Sequence, residues 1–451
     1  MKTEMIMENV GSILERALQH AEIDVALRTE TQLSGQVVAC NGQLIESSPF
    51  PASIGSQCTI KTRQGINVKA EIIGFKENKN LIFPYENNSE IYSGDEICLS
   101  GTSKDVEVGP DLLGRVIDGL GQPLDDKGPI ISTSKVSING EYINPFDRGE
   151  ITSVLNVGIK SINALTTIGC GQRIGIIAGS GVGKSVLLSM ITQNSEAEVI
   201  VVGLIGERGR ELATFTREIT ASHSNNKVVI VAVPADQSPL LRIQGAKRAT
   251  SIAEHFRDEG KKVLLILDSL TRVAHAQREL GLAVGEQPTS RGYPPSVISL
   301  IPALIERTGV GVKSTGSITS IYTILADGDD TVSDPIVDNA RAILDGHIIL
   351  SRKLAQQGIY PAIDVGNSIS RIMIDLVTPE QGKNAQKLRK LISVYQENQD
   401  LLLMGGYVQG QDADLDQAVQ KWPDIVKFLH QDKNAKFSFS DANKMMSELV
   451  A

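Results

Sequence analysis

From Ile174 to Leu188 the chain reads Ile-Gly-Ile-Ile-Ala-Gly-Ser-Gly-Val-Gly-Lys-Ser-Val-Leu-Leu, an apolar strand, a glycine-rich loop and the first turn of a helix. Gly179, Gly181 and Gly183 let the backbone N–H groups of such a loop turn inward, making a nest for phosphate oxygens at a helix N-terminus. The residues assigned to phosphate binding are Ala178, Gly179, Ser180, Gly181, Val182, Gly183, Lys184, Ser185 and Val186. Lys184 is expected to bridge the β- and γ-phosphates, and the Ser185 hydroxyl to ligate Mg²⁺. Ala178 stands where the pattern has its first glycine; the rest of the pattern is intact.

Two further segments carry the groups that a phosphate loop needs for hydrolysis. Lys262-Val-Leu-Leu-Ile-Leu-Asp268 is an apolar strand ending in a carboxylate, where phosphate-loop enzymes place an Asp in the Mg²⁺ coordination shell. Many buried strands also end in Asp as a turn residue, so the assignment rests on the pairing with the loop. Hydrolysis also requires a group that orients water and a cation for the charge developing on the γ-phosphate. Gly203-Leu-Ile-Gly-Glu207-Arg208-Gly-Arg210-Glu211 offers both, although its spacing alone fits a solvated charged loop equally well.

These residues need a scaffold. Apolar runs at Ile174 to Ala178, Val199 to Ile205, Val228 to Val233, Val263 to Leu267 and Ile318 to Leu325 alternate with helical patterns. Runs apolar on both faces predict strands of a mostly parallel sheet covered by helices. Upstream, short β-type runs such as Gly35 to Cys40, Cys58 to Lys61 and Val68 to Phe75, broken by turn pairs such as Asn41-Gly42, predict a small β-barrel. Ile6, Val10, Ile13, Leu14, Ala17 and Leu18 recur at helical spacing, so an amphipathic helix is expected at the start; its stripe packs on its own domain or docks a partner. Thr378 caps and Pro379 opens a helical C-terminal region. The expected fold is therefore α/β with four parts: an N-terminal helix (1–24), a β-barrel (25–102), a central phosphate-loop domain with a RecA-like, mostly parallel sheet (103–378), and a helical domain (379–451).

The 451 residues exceed what one core ordinarily organises. Ordinary apolar and charged fractions, 41% and 22%, argue against extensive disorder. A net charge of −9 disfavours a polyanionic partner. The same holds within the expected barrel, where six basic residues face eight acidic ones, so the barrel reads as an assembly module and no nucleic-acid partner is expected. Cys40, Cys58, Cys98 and Cys170 lie far apart with no CxxC pair, suggesting neither a zinc site nor a disulfide framework. No apolar run is long enough for a signal peptide or a bilayer span, which predicts a cytoplasmic protein.

The segments AGSGVGKS, VVGLIGERGRE, LLILDSLTR, RGYPPSV, ILDGHIILSR and YPAIDVGNSISR together resemble the type III secretion ATPases, closely those of flagellar export, which are relatives of the rotary ATP synthase catalytic subunit. The resemblance runs from about Gly35 to beyond Leu429. It implies ATP as substrate with Mg²⁺, Glu207 as the carboxylate that activates water, Arg208 near the γ-phosphate, and Glu211 supporting the metal's water shell. Arg371 matches the arginine finger that reaches into a neighbouring subunit's site, which implies a homo-hexameric ring. Tyr360 matches a position where an aromatic stacks on adenine, a buried core tyrosine being the alternative. The segment Gly405 to Asp412 lacks the acidic stretch by which rotary synthases meet their rotor, so hydrolysis is expected over synthesis. Gly285 to Pro295 is expected to line the ring's central channel.

The same resemblance implies a stator-like regulator on the N-terminal helix, a central stalk protein, export chaperone–substrate complexes as clients, and an export gate that holds the ring peripherally at the inner membrane. A virulence-type secretion ATPase is the nearest alternative, and a hexameric RNA translocase, which also places a barrel before a phosphate-loop domain, is a more distant one.

Overall fold

Of the 451 residues, the computed structural model describes 33–87, 90–101, 105–131, 134–222, 225–313, 315–326 and 334–451; the helix expected over residues 1–24 lies outside them. The chain divides into two units, Met1–Ser103 and Lys104–Ala451.

In the first unit six strands close into an antiparallel barrel: β1 (Ser34–Asn41), β2 (Leu44–Ser47), β3 (Gln57–Lys61), β4 (Asn67–Lys76), β5 (Lys79–Pro84) and β6 (Glu96–Gly101), in the order β1-β2-β5-β4-β3-β6. Period-2 alternation turns Val37, Ile45, Cys58, Ile60, Val68, Ala70, Ile82 and Ile97 into one interior. The β1–β2 hairpin bends at Gly42, whose φ of +63° suits a residue without a Cβ. Closure leaves no free sheet edge, which suits a module that must not pair indiscriminately with other strands.

The second unit begins with β7 (Asp105–Val108), β8 (Val116–Ile117) and β9 (Ser134–Ser137), of which β7 and β9 form a small antiparallel ribbon. Its main sheet uses β8 with β10 (Arg173–Ala178), β11 (Val199–Glu207), β12 (Val228–Pro234), β13 (Lys262–Asp268), β14 (Gly309–Val310), β15 (Ser317–Leu325), β16 (Gly346–Leu350) and β17 (Ile363–Ser370). The order is β17-β16-β10-β15-β13-β11-β12-β8, parallel throughout except for the β16–β17 pair, with β14 antiparallel against β15.

Alternate residues of the same strands serve two cores. Ile200, Val202, Leu264 and Ile266 face one cluster, whereas Val199, Val201, Val263 and Leu265 face the other. A helix layer on each side explains why these strands are apolar without alternation. The C-terminal helices Pro379–Glu397, Ala413–Leu429 and Phe439–Val450 join the first of these cores through Leu388, Ile392, Ile425, Phe428 and Met446. Thr378 and Gln381 form a reciprocal capping box, and Asp412 and Ser438 cap the other two helices through their side chains. Tyr395 and Trp422 stack with ring centroids 3.8 Å apart, fastening the first two of these helices together. Among the described residues no helix is long and apolar enough to cross a membrane.

Candidate active site

Parallel pairing brings the C-terminal ends of β10, β11 and β13 to one edge of the sheet, where open α/β sheets bind ligands. The phosphate loop leaves β10 there and enters the helix Lys184–Asn194 through Gly183. Gly181 and Gly183 have φ of +78° and +88°, the left-handed conformation that a side chain would strain.

Lys184 Nζ donates to Asp268 Oδ1 at 2.5 Å and to Glu207 Oε1 at 3.2 Å. The side chains of Lys184, Glu207 and Asp268 keep only 11%, 9% and 6% of their surface in solvent, so one buried cation lies between two buried anions. Burial alone would lower the Lys184 pKa, but the carboxylates of Asp268 and Glu207 outweigh it and hold the ammonium above its ordinary value. Burial drives Glu207 the other way. Its pKa is raised, with Asp268 adding to the shift and Lys184 and Arg272 opposing it. A carboxylate pushed upward beside a phosphate loop is poised to accept a proton from water.

The predicted residues fall into two groups. The loop, Lys184, Glu207 and Asp268 converge. Ser185, on the first helical turn, is exposed, and its hydroxyl makes no hydrogen bond among the described residues. Tyr360 is 41% exposed, and its ring lies against the loop, with Cε1 3.3 Å from where a Cβ on Gly183 would sit; it is not a core tyrosine. Arg208 and Glu211 instead pair with each other at 3.7 Å at the exposed start of the helix Gly209–Thr220. Neither bonds to the Lys184 cluster among the described residues. Arg371 follows the edge strand β17, its guanidinium donates to the Arg341 carbonyl at 3.1 Å, and it makes no hydrogen bond to the Lys184 cluster among the described residues.

Two residues at the site escaped the sequence reading. Thr323 on β15, the strand between β10 and β13, donates to Asp268 Oδ1 at 2.6 Å. Arg272, one helical turn beyond Asp268, bears electrostatically on Glu207, and its Nε is buried without a hydrogen-bond partner among the described residues. The Ser-Leu-Thr-Arg spacing after Asp268 carried that second signal; a threonine inside an apolar strand carried none.

Among the described residues, all the hydrogen bonds at the Asp268 carboxylate fall on Oδ1, and the Ser185 hydroxyl makes none. The described residues hold no cluster of three or more His, Cys, Asp or Glu that could cage a metal. One hydroxyl and one carboxylate fit a cation that takes most of its ligands from phosphates and water, as Mg²⁺ does.

The ATP synthase alpha/beta family nucleotide-binding domain matches residues 158–370, and the T3SS EscN ATPase C-terminal domain matches residues 377–448. The chain is 44% identical over 430 residues to the flagellum-specific ATP synthase of Pseudomonas aeruginosa, covering 95% of each. The chain belongs to the flagellum-specific ATP synthase family. It superimposes with a TM-score of 0.87 and 40% identity on the assembled ATPase EscN of the enteropathogenic E. coli type III secretion system, over 92% of this chain and 100% of that one. EscN in complex with its central stalk EscO matches with a TM-score of 0.84 at 39% identity, over the same shares of the two chains. This member of the flagellum-specific ATP synthase family is a type III export ATPase and hydrolyses ATP. Its nucleotide-binding match encloses Lys184, Glu207, Asp268 and Tyr360 and stops one residue before Arg371.

Proposed function

We propose that the cluster of Lys184, Glu207 and Asp268 is the hydrolytic centre of a homo-hexameric ring in the flagellar export apparatus. The single observation that carries the reading is one buried ammonium held between two buried carboxylates at the mouth of a phosphate loop. The inward amides of the loop and Lys184 bind the β- and γ-phosphates, with Lys184 exchanging its carboxylate partners for phosphate oxygens. Ser185 and Asp268 would hold Mg²⁺, which would supply neutralisation of the phosphate charge. Glu207 takes a proton from water as the water oxygen bonds to the γ-phosphorus and the bond between that phosphorus and the bridging oxygen breaks, giving ADP and phosphate. Arg208 and Glu211 act on the γ-phosphate and the metal's water shell after their exposed pair reorients.

Arg371, which makes no hydrogen bond to its own chain's Lys184 cluster among the described residues, completes the neighbour's site. A chain carrying both halves of a shared site works only in a ring, and an arginine finger is worth about 10³ to 10⁵ in rate in comparable enzymes. Turnover in the cytoplasm, with the ring held at the inner membrane through an export gate, releases chaperones from export substrates and loads the unfolded chains. A central stalk protein, as in the EscN complex with EscO, occupies the channel lined by Gly285 to Pro295, and the stator-like regulator docks on residues 1–24.

The test is ATPase rate against protein concentration for the wild type and Arg371→Ala. Below the assembly threshold the wild-type rate rises more steeply than linearly, and the variant stays low at every concentration. A rate strictly proportional to concentration, or an Arg371→Ala variant that keeps wild-type turnover, sinks the shared site.

A further inference from the structure

Gln431 lies between the C-terminal helices and the nucleotide site, 4% exposed, in the segment that follows the helix Ala413–Leu429. Its backbone N–H donates to the Tyr360 carbonyl at 2.7 Å. Its side-chain amide donates to the carbonyls of Gly158 and Ala435, each at 2.9 Å, and accepts from the Lys160 N–H at 2.9 Å. The backbone N–H, both side-chain N–H groups and one lone pair of the amide oxygen are thus engaged, which fixes the side chain in one orientation.

Lys160 fixes the other side of the same joint. Its ammonium caps the end of the helix Ala413–Leu429 by donating to the carbonyls of Lys427 at 3.2 Å and His430 at 2.9 Å, and sits 4.8 Å from the centre of the Phe437 ring. The line of contact runs from the last turn of that helix through Gln431 to the Tyr360 backbone, and from the Tyr360 ring to Gly183 in the phosphate loop.

We infer that Gln431 is a positioning residue for the nucleotide base: it holds the Tyr360 backbone, and so the ring, at the height above the loop where adenine stacks. Lys160 holds Gln431 in register with the C-terminal helices. The inference rests on the reading of Tyr360 as the adenine platform. Any load that shifts the helix Ala413–Leu429 reaches the base through this joint and leaves the phosphate grip of Lys184 in place.

The experiment measures the binding of ATP and of inorganic tripolyphosphate by calorimetry, with Mg²⁺ present, to the full-length wild type, Gln431→Glu, Lys160→Met and Tyr360→Leu. Gln431→Glu keeps the acceptor for Lys160 but sets a carboxylate against two carbonyls. Lys160→Met disturbs the joint from the other side and covers the case in which Gln431→Glu does not fold. Stacking contributions predict ATP binding weakened by about 2- to 10-fold in each variant, with tripolyphosphate unchanged because it has no base. In turnover, KM for ATP rises more than kcat falls. Equal weakening of both ligands, or wild-type ATP affinity in Gln431→Glu and Lys160→Met while Tyr360→Leu loses it, overturns the role of Gln431. Should Tyr360→Leu itself bind ATP and tripolyphosphate in the wild-type ratio, the adenine platform falls and takes the inference with it.

Discussion

Replacing Glu207 by glutamine removes one negative charge from the buried trio while keeping the shape and an oxygen for Lys184 Nζ, now 3.2 Å away. The amide cannot accept a proton, and a positioned general base contributes about 10² to 10⁴ in rate. At about 1.36 kcal/mol per decade, the transition state loses about 2.7 to 5.4 kcal/mol. Stability moves the other way. The Glu207 pKa is raised, so the folded protein binds that proton more tightly than the unfolded chain does. As pH rises above the ordinary Glu value of about 4.3, the folded state loses stability, up to a penalty set by the raised pKa. Glutamine removes it, so at neutral pH the nucleotide-free variant melts at or above the wild type while turning over far more slowly. The assay is kcat and KM from pH 5 to 9, with thermal melting alongside. Wild-type kcat/KM falls on the acid side with an apparent pKa above that of an ordinary carboxylate, and the variant lacks that limb. Retention of more than a tenth of wild-type kcat, or a melting temperature several degrees below wild type, refutes the reasoning.

Thr323→Val removes one of the two donors on the Asp268 oxygen and leaves a buried carboxylate less satisfied. The variant loses about 1.5 to 3 kcal/mol in denaturant unfolding, and Thr323→Ser, which keeps the hydroxyl, recovers most of it. Arg307 makes a two-pronged pair with Glu254 at 2.9 and 2.6 Å, donates to Ser251 and the Ile138 carbonyl, and is 12% exposed. Arg307→Met strands the Glu254 charge and costs about 3 to 5 kcal/mol, and adding Glu254→Gln restores part of that loss; unchanged melting would exclude a structural role for the pair.

The parts of this molecule legible from sequence are those where one local rule dominates. Strands β10 to β13 declare themselves because burial on both faces leaves their interiors free of polar side chains, and the phosphate loop because glycine adopts its left-handed turns without strain. The capping box at Thr378 and Gln381 is equally local. Strand β17, Ile-Asp-Val-Gly-Asn-Ser-Ile-Ser, is half polar because it sits at the sheet edge; it is recognisable as a motif but not as a strand. Thr323 and Gln431 were invisible for a different reason. Each acts through a partner distant in sequence, Asp268 55 positions away or Lys160 271 positions away, and no spacing rule reaches that far. Arg208 and Glu211 enter as site residues only through the family resemblance; here they pair with each other in solvent, because the helix Gly209–Thr220 starts there and its first turn faces outward.

The grip on polyphosphate by the loop amides and Lys184 is the claim on which the rest depends, and equilibrium dialysis with Mg²⁺ and ATP tests it most directly. The wild-type protein retains nucleotide, and Lys184→Ala, which leaves Glu207 and Asp268 facing the phosphates without their cation, loses it. Retention by the variant equal to that of the wild type, or no retention by either, contradicts the account.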